Sequence, residues 1–308
     1  MQTVEIIRKS ITELDTGIIV NAANRYLQAG GGVCGYIFKA AGYEKLQEAC
    51  DKIGGCATGD AVITPGFRLC SYIVHAVGPQ YVDGKHGEAE LLYSCYRKAL
   101  DLARENDCHS IGFPLISSGI YGYPIYGAWE QAAKAVADWT KENKDYDIRI
   151  VFAVIDNDVL DKGKEIFGVY GDGLLLVRKD DWKTCAMPKR NERFEVPVSI
   201  PENKLDVLRH GHRPTEMEDK WFWYMEGDVL YAHRSWTGFC IYITDFGEKG
   251  KIKVTVNRDP EQYTCTDINE DREKFCDLLC RWTDTPYDHY SQWLHEISQT
   301  LAKGSNGR

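Results

Sequence analysis

No run of apolar residues in this chain approaches the ~20 that a helix needs to cross a bilayer, so no membrane partner is expected. Positive charge is in deficit: 37 Lys and Arg face 46 Asp and Glu, giving a net charge of -9 and a pI near 5.5. That balance lacks the broad basic field behind non-specific nucleic-acid binding and leaves room only for a local basic pocket. The 11 cysteines form no CxxC pair, which argues against a zinc ribbon. Their number is odd and their spacing irregular, which points to free thiols in a reducing compartment and hence to a cytoplasmic location. The opening stretch, MQTVEIIRKS, lacks the basic-then-apolar layout of a secretory signal. No internal repeat is visible. No metal and no organic cofactor is expected, and nothing in the residues bears on oligomeric state.

What is present fits a globular protein. The 308 residues suffice for two domains of ordinary size, with 44% hydrophobic and 27% charged residues. The chain is organised around the stretch from Ile18 to Gly42. Ile18 to Val20 reads as a short buried strand that stops at Asn21-Ala22-Ala23-Asn24, small and polar residues that let a ligand reach the backbone. A loop through Gly30-Gly31-Gly32 follows, then a helix from about Val33 to Ala41. A strand, a glycine-rich loop and a helix in that order suggest an anion site, because loop amides and the helix start both carry partial positive charge. Glycines also remove side chains where a phosphate presses on the backbone. The plainer alternative is a turn with no ligand.

Strands and helices alternate on either side of that stretch. Residues 2–7 read as a first strand, Tyr43 to Ile53 as a helix closed by Gly54-Gly55, and Ala61 to Thr64 and Ser71 to Val77 as two strands split by Pro65-Gly66. Glu88 to Asn106 carries Leu91, Leu92, Cys95, Leu100 and Ala103 at helical spacing. Ser110 to Pro114 is a short strand. A second loop of interest follows it, Ile116-Ser117-Ser118-Gly119-Ile120-Tyr121-Gly122-Tyr123-Pro124. Its hydroxyls and glycine amides suit a diphosphate and its tyrosine a ribose or a base; a structural turn is the alternative. A helix from near Tyr126 to Asn143, a strand from Ile148 to Ile155 and a helix from near Asp158 complete the series. Such alternation implies a sheet covered on both faces, with ligands in the crevice at the carboxyl ends of its strands.

Residues 1 to about 169 resemble a macro domain, the ADP-ribose-binding module. The matching segments are Val20–Asn24 (VNAAN), Gly30–Gly35 (GGGVCG), Ala40–Gly42 (AAG), Thr58–Gly66 (TGDAVITPG), His75–Pro79 (HAVGP) and Ile116–Pro124 (ISSGIYGYP). Within the family the pattern is most similar to members that hydrolyse ADP-ribose adducts. The resemblance implies an α/β fold: a three-layer α/β/α macro domain with a mixed sheet. It implies that Gly31, Gly32 and Val33, with Gly35 nearby, surround the phosphate next to the distal ribose. Ser117, Ser118, Gly119, Ile120 and Tyr121 surround the diphosphate and that ribose. Asn24 bonds ribose hydroxyls, Ile11 and Ala22 line the cleft, and Asn157 lies near the adenine end.

Three positions depart from the family pattern. The hydrolases it most resembles usually carry aspartate where this chain has Cys34, and often histidine where it has Phe38. Many members carry aspartate, holding the adenine amino group, where this chain has Ser10. A thiol at a helix start can ionise more readily than a free one, but it does not replace a carboxylate. The expected partner is ADP-ribose or an ADP-ribosylated macromolecule. The expected activity is adduct hydrolysis, with Asn24 and Cys34 as the catalytic candidates and substrate phosphate holding the water. The alternatives are a non-catalytic ADP-ribose reader and an O-acetyl-ADP-ribose deacetylase.

From Gly171 the texture changes. Six of the eight tryptophans lie beyond it: Trp182, Trp221, Trp223, Trp236, Trp282 and Trp293. Leu174 to Arg178 reads as a strand and Ala186 to His212, rich in proline, as irregular chain. Trp221 to Ala232, Phe239 to Phe246 and Lys251 to Asn257 read as an antiparallel meander, and Glu270 to Trp282 and Tyr287 to Ala302 as closing helices. Together these predict a smaller α+β domain over residues 172–308, after a macro domain over 1–170. His233 to Gly238 reads as a hairpin turn with a half-buried Trp236; the alternative is a place where arginine and histidine beside tryptophan receive an anion or an adenine ring. Arg209 to Arg213 carries two histidines without a nearby ligand set, so no metal is expected there.

Overall fold

The computed structural model describes residues 2–171, 173–198, 200–214, 217–248 and 250–283. The chain divides into two compact units, Met1–Leu175 and Leu176–Arg308. The first contains strands β1 (Gln2–Arg8), β2 (Ile18–Ala22), β3 (Ala61–Pro65), β4 (Tyr72–Ala76), β5 (Ser110–Phe113) and β6 (Ile148–Val154). Its helices are α1 (Val33–Ala41), α2 (Tyr43–Ile53), α3 (Glu88–Glu105), α4 (Ile125–Glu142) and α5 (Asn157–Tyr170), with a 3₁₀ turn at Ile11–Glu13. The strand order is β1-β6-β5-β2-β4-β3; every pair is parallel except β3 with β4, so the sheet is mixed.

Burial on both faces explains the apolar runs of the strands. Ile18 and Val20 of β2 point into one core with Phe113, Phe152, Tyr96 and Trp129, under α3, α4 and α5. Ile19, Ile73 and Val151 point the other way, against Ile37 and Phe38 of α1 and Leu46 of α2. This is the three-layer α/β/α arrangement. The boundary of α5 is set locally, since Asp156 Oδ1 accepts hydrogen bonds from the Asp158 and Val159 amides.

The second unit is an α+β structure on an antiparallel sheet. Its strands are β7 (Asn191–Val196), β8 (Trp221–Glu226), β9 (Val229–Arg234), β10 (Cys240–Asp245) and β11 (Ile252–Asn257), in the order β7-β11-β10-β9-β8. Helices α6 (Glu202–His210) and α7 (Ile268–Trp282) accompany it. Arg258, after β11, forms a salt bridge with the fully buried Asp271 of α7, which also accepts a 2.5 Å hydrogen bond from Tyr263.

Four expectations are corrected here. Trp221 to Ala232 is not one strand: Gly227, at φ +59°, opens a two-residue turn that folds β8 back along β9. The segment taken as irregular holds β7 and α6, because Pro201 starts a helix and Gly211 ends it. Leu174 to Arg178 forms only an isolated bridge, Leu175 with Val4. Trp236, in the turn between β9 and β10, is 64% exposed, while His233 beside it is buried. The expected helix from Tyr287 to Ala302 lies outside the described residues.

Trp129 of α4 packs closely against α5. It is fully buried, donates from Nε1 to the Val159 carbonyl at 2.9 Å, and packs edge-on against Phe152 and Phe167. A methyl group on Gly163 of α5 would lie 2.6 Å from its indole. Gly163→Ala is therefore expected to cost about 1–3 kcal/mol through overpacking, read as a lower urea midpoint. An unchanged midpoint would mean the indole shifts freely.

Candidate functional site

The cleft lies across the carboxyl ends of four neighbouring strands, in the order β1, β6, β5, β2. Each contributes residues at or just beyond its end: Lys9 to Ile11, Val154 to Asp156, Pro114 to Tyr121, and Ala22 to Asn24 with Gly30 to Cys34. Three interstrand intervals separate β1 from β2, roughly 14 Å at ~4.8 Å each. The volume is about 680 Å³, within the roughly 300–1,000 Å³ of ordinary small-molecule sites.

The β2 end is built from backbone. Gly32, at φ +62°, turns the chain into α1 and supplies no side chain to cap it. Among the described residues, no acceptor pairs with the amides of residues 30–35. These are the orphan donors of a helix start, and they favour an anion. Asn24 organises the approach. Its Oδ1 accepts from the Tyr26 and Gln28 amides at 3.1 and 3.2 Å, and its Nδ2 donates to the Gln28 carbonyl at 2.6 Å.

The second loop mirrors this. The amides of Ser117, Gly119, Ile120 and Tyr121 likewise have no acceptor among the described residues. Ser117 sits at φ +65°, uncommon for a residue with a side chain, and its buried hydroxyl has no hydrogen-bond partner. A methyl on Gly78 would lie 2.2 Å from that hydroxyl, so only glycine fits opposite it. A methyl on Gly31 would lie 3.6 Å from Ile120 Cδ1, which brings the two loops side by side. Behind the second loop, the Tyr81 amide donates to the Tyr121 carbonyl at 2.9 Å. The segment carrying Tyr81 is gathered on the Glu88 carboxylate, which accepts from the amides of Val82, Asp83, Gly84 and His86. Burial alone would raise the Glu88 carboxyl, but those amides and its own hold it down at about 2.

Most sequence-predicted site residues come together. Ser10, Ile11, Ala22, Asn24, Gly31, Gly32, Val33, Cys34, Ser117, Ser118, Gly119, Ile120 and Tyr121 all line the cleft. Gly35 and Asn157 do not. A methyl on Gly35 would lie 2.8 Å from the Gly30 carbonyl oxygen, so its smallness lets α1 close on the loop. Asn157 faces solvent as the first residue of α5, and Asp156 and Val159 line the cleft instead. Sequence reading missed Tyr36, Gly78 and the Val154–Asp156 end of β6. The last was discoverable from topology, since every strand flanking the crevice contributes its carboxyl end.

The titratable side chains lining the cleft are Lys9, Cys34, Tyr36, Tyr121 and Asp156. None on the β2–α1 segment is a carboxylate or an imidazole. Phe38 is fully buried, packed against Tyr43 and His75 and outside the cleft. His75, on β4, packs against Phe38 of α1 and Cys50 of α2. It is fully buried, with Nδ1 3.1 Å from Asn21 Nδ2 and Nε2 3.0 Å from Thr64 Oγ1.

Burial pushes the His75 imidazole down to about 4 from its ordinary 6.5. The folded state thus keeps it neutral where the unfolded chain protonates it. Stability from this source is complete above pH 6.5 and is lost as pH falls towards 4, about 2–4 kcal/mol in all. Urea midpoints across that range should fall more steeply for the wild type than for His75→Asn. Parallel curves would contradict the assignment.

A family model described as "Macro domain" matches residues 20–135. A macro domain-containing protein of Chlorobaculum tepidum is 46% identical over 159 residues, 51% of this chain and 91% of that protein. A macro domain-containing protein of Listeria monocytogenes is 48% identical over 162 residues, again 51% of this chain and 92% of the relative. Among solved structures, a macrodomain of Oceanobacillus iheyensis with ADP superposes at a TM-score of 0.50 and 36% identity, covering 53% of this chain and 88% of its own. With a three-layer α/β/α fold carrying this cleft, and with matches at 46–48% identity that cover 91–92% of these relatives, this chain is a member of the macro-domain family in its first unit.

Proposed function

We propose that the first unit binds ADP-ribose and hydrolyses ADP-ribosyl adducts. The observation that carries this reading is the pair of amide arcs, residues 30–35 in the first loop and Ser117, Gly119, Ile120 and Tyr121 in the second, lying side by side with no acceptor among the described residues. Two arcs of N–H donors suit two adjacent phosphates. The apolar β1–β6 end, with Ile11, Val154, Ile155 and Val159, suits a base about one diphosphate's length away. The similar macrodomain from Oceanobacillus iheyensis was solved with ADP, which supports a nucleotide diphosphate as the ligand.

In this reading the chemistry is a displacement at the anomeric carbon of the distal ribose. Water forms the new C–O bond, the bond to the adduct oxygen breaks, and the leaving oxygen takes up the proton. With no carboxylate or imidazole on the β2–α1 segment, the phosphate itself holds the water. Asn24 and the loop amides fix the ribose, and such positioning supplies a large part of a rate enhancement. Cys34, in the first turn of α1 and only 5% exposed, packs beside the ribose rather than acting as a base. That same lack of a base favours a second reading, an ADP-ribose reader without turnover.

Calorimetry with ADP-ribose tests the shared premise. The wild type should bind, and Gly31→Glu, which sets a carboxylate among the amides at a position free of left-handed strain, should weaken binding by more than about 100-fold. No heat from the wild type at millimolar ligand would end both readings. Release of free ADP-ribose from mono-ADP-ribosylated protein separates them: the hydrolase turns over, with Asn24→Ala slower by about 10-fold or more, whereas the reader binds and releases nothing.

A further inference from the structure

The loop that carries Asn24 is held from outside the cleft by helix α2. Gln47 and Asp51 lie one helical turn apart on the same face of that helix. Gln47 Oε1 accepts from the Ala29 amide at 2.9 Å, and its Nε2 donates to the Leu27 carbonyl at 3.4 Å and to Asp51 Oδ1 at 2.9 Å. Asp51 Oδ1 also accepts from Gln28 Nε2 at 3.0 Å. Gln28 in turn supplies the backbone groups that grip the Asn24 amide, its carbonyl accepting from Nδ2 and its amide donating to Oδ1. The hydrogen bonds run without a break from α2 through the loop to Asn24.

The loop needs an outside hold. Leu27 sits at φ +57°, a left-handed conformation that leucine rarely adopts, and it is 1% exposed. After Gln28 and Ala29 come Gly30, Gly31 and Gly32, the residues that restrict their own backbone least. Gln47 bonds the backbone on either side of Gln28, between the strained residue and the glycines.

We propose that Gln47 and Asp51 are positioning residues of this site, setting the pitch of the glycine loop and presenting Asn24 as a one-way donor. Asn24 Oδ1 already accepts two amides, and Nδ2 spends one hydrogen on Gln28. What remains for a ligand is the second Nδ2 hydrogen, on the atom that lies 4.0 Å from where a methyl on Gly30 would stand. A ribose hydroxyl at this site therefore accepts from Asn24 and sends its own proton elsewhere. The ligand part of this inference rests on the ADP-ribose reading above; the brace itself does not.

Two variants test it. Gln47→Leu keeps the bulk and removes every bond. It should weaken ADP-ribose binding about 10-fold and speed hydrogen exchange at the Ala29 amide in the ligand-free chain, with an unchanged melting temperature. Gln47→Glu keeps the acceptor for Ala29 but sets two carboxylates together. It should bind poorly at pH 8 and recover towards wild type near about pH 5, where a shared proton restores the donor to Asp51; the wild type, tested in parallel, stays flat. A melting change alone does not imitate that pH signature. Wild-type affinity and exchange in both variants would overturn the proposal. If the wild type binds no ADP-ribose, the functional reading fails while the exchange rates still decide the brace.

Discussion

A backbone N–H near the surface of a folded protein is normally paired, and this molecule leaves about ten of them open in one place. They are open because the chain leaves a parallel strand, has no side chain at Gly32 with which to cap the next helix, and repeats the manoeuvre after β5 with Ser117 in a left-handed turn. Much of the surrounding structure keeps those donors in place. Gly78 makes room for Ser117, Tyr81 holds Tyr121, Glu88 gathers the segment behind Tyr81, and Gln47 grips the loop ahead of the glycines.

On the proposed reading, this is how a chain of net charge -9 would offer a site to an anion. Full positive charges act over a Debye length and recruit any polyanion, whereas peptide dipoles act only over the last turn of a helix or the width of a loop. Among the described residues Lys9 is the only cation lining the cleft, so attraction depends on shape. An anion has to reach the amides to be held.

The first unit was the more legible half, and the reason is how its strands are buried. Parallel strands covered on both faces appear as short apolar runs, so Ile18 to Val20 and Ile148 to Ile155 stood out, and glycine and serine marked the loops after them. Antiparallel strands alternate instead. Trp221 to Ala232 does not: both arms of its hairpin are mostly apolar, and the turn between them is only Gly227 and Asp228, too short to mark a break. Prolines at 197 and 201 hid α6 by making its surroundings look irregular, although a proline at the cap is what starts that helix.

Sequence alone determined the order of elements, the two loops, and the presence of Cys34 and Phe38 where a carboxylate and an imidazole were looked for, since residue identity and local periodicity decide these. Only the tertiary structure decided which residues meet. It set β6 between β1 and β5 and so brought Asp156 and Val159, not Asn157, to the cleft. It turned Gly35 into a packing contact, and it brought Gln47, some twenty residues along the chain, under the loop of Asn24. Hydrogen bonds and close contacts of that kind depend on distances between segments, which no pattern along a single strand or helix encodes.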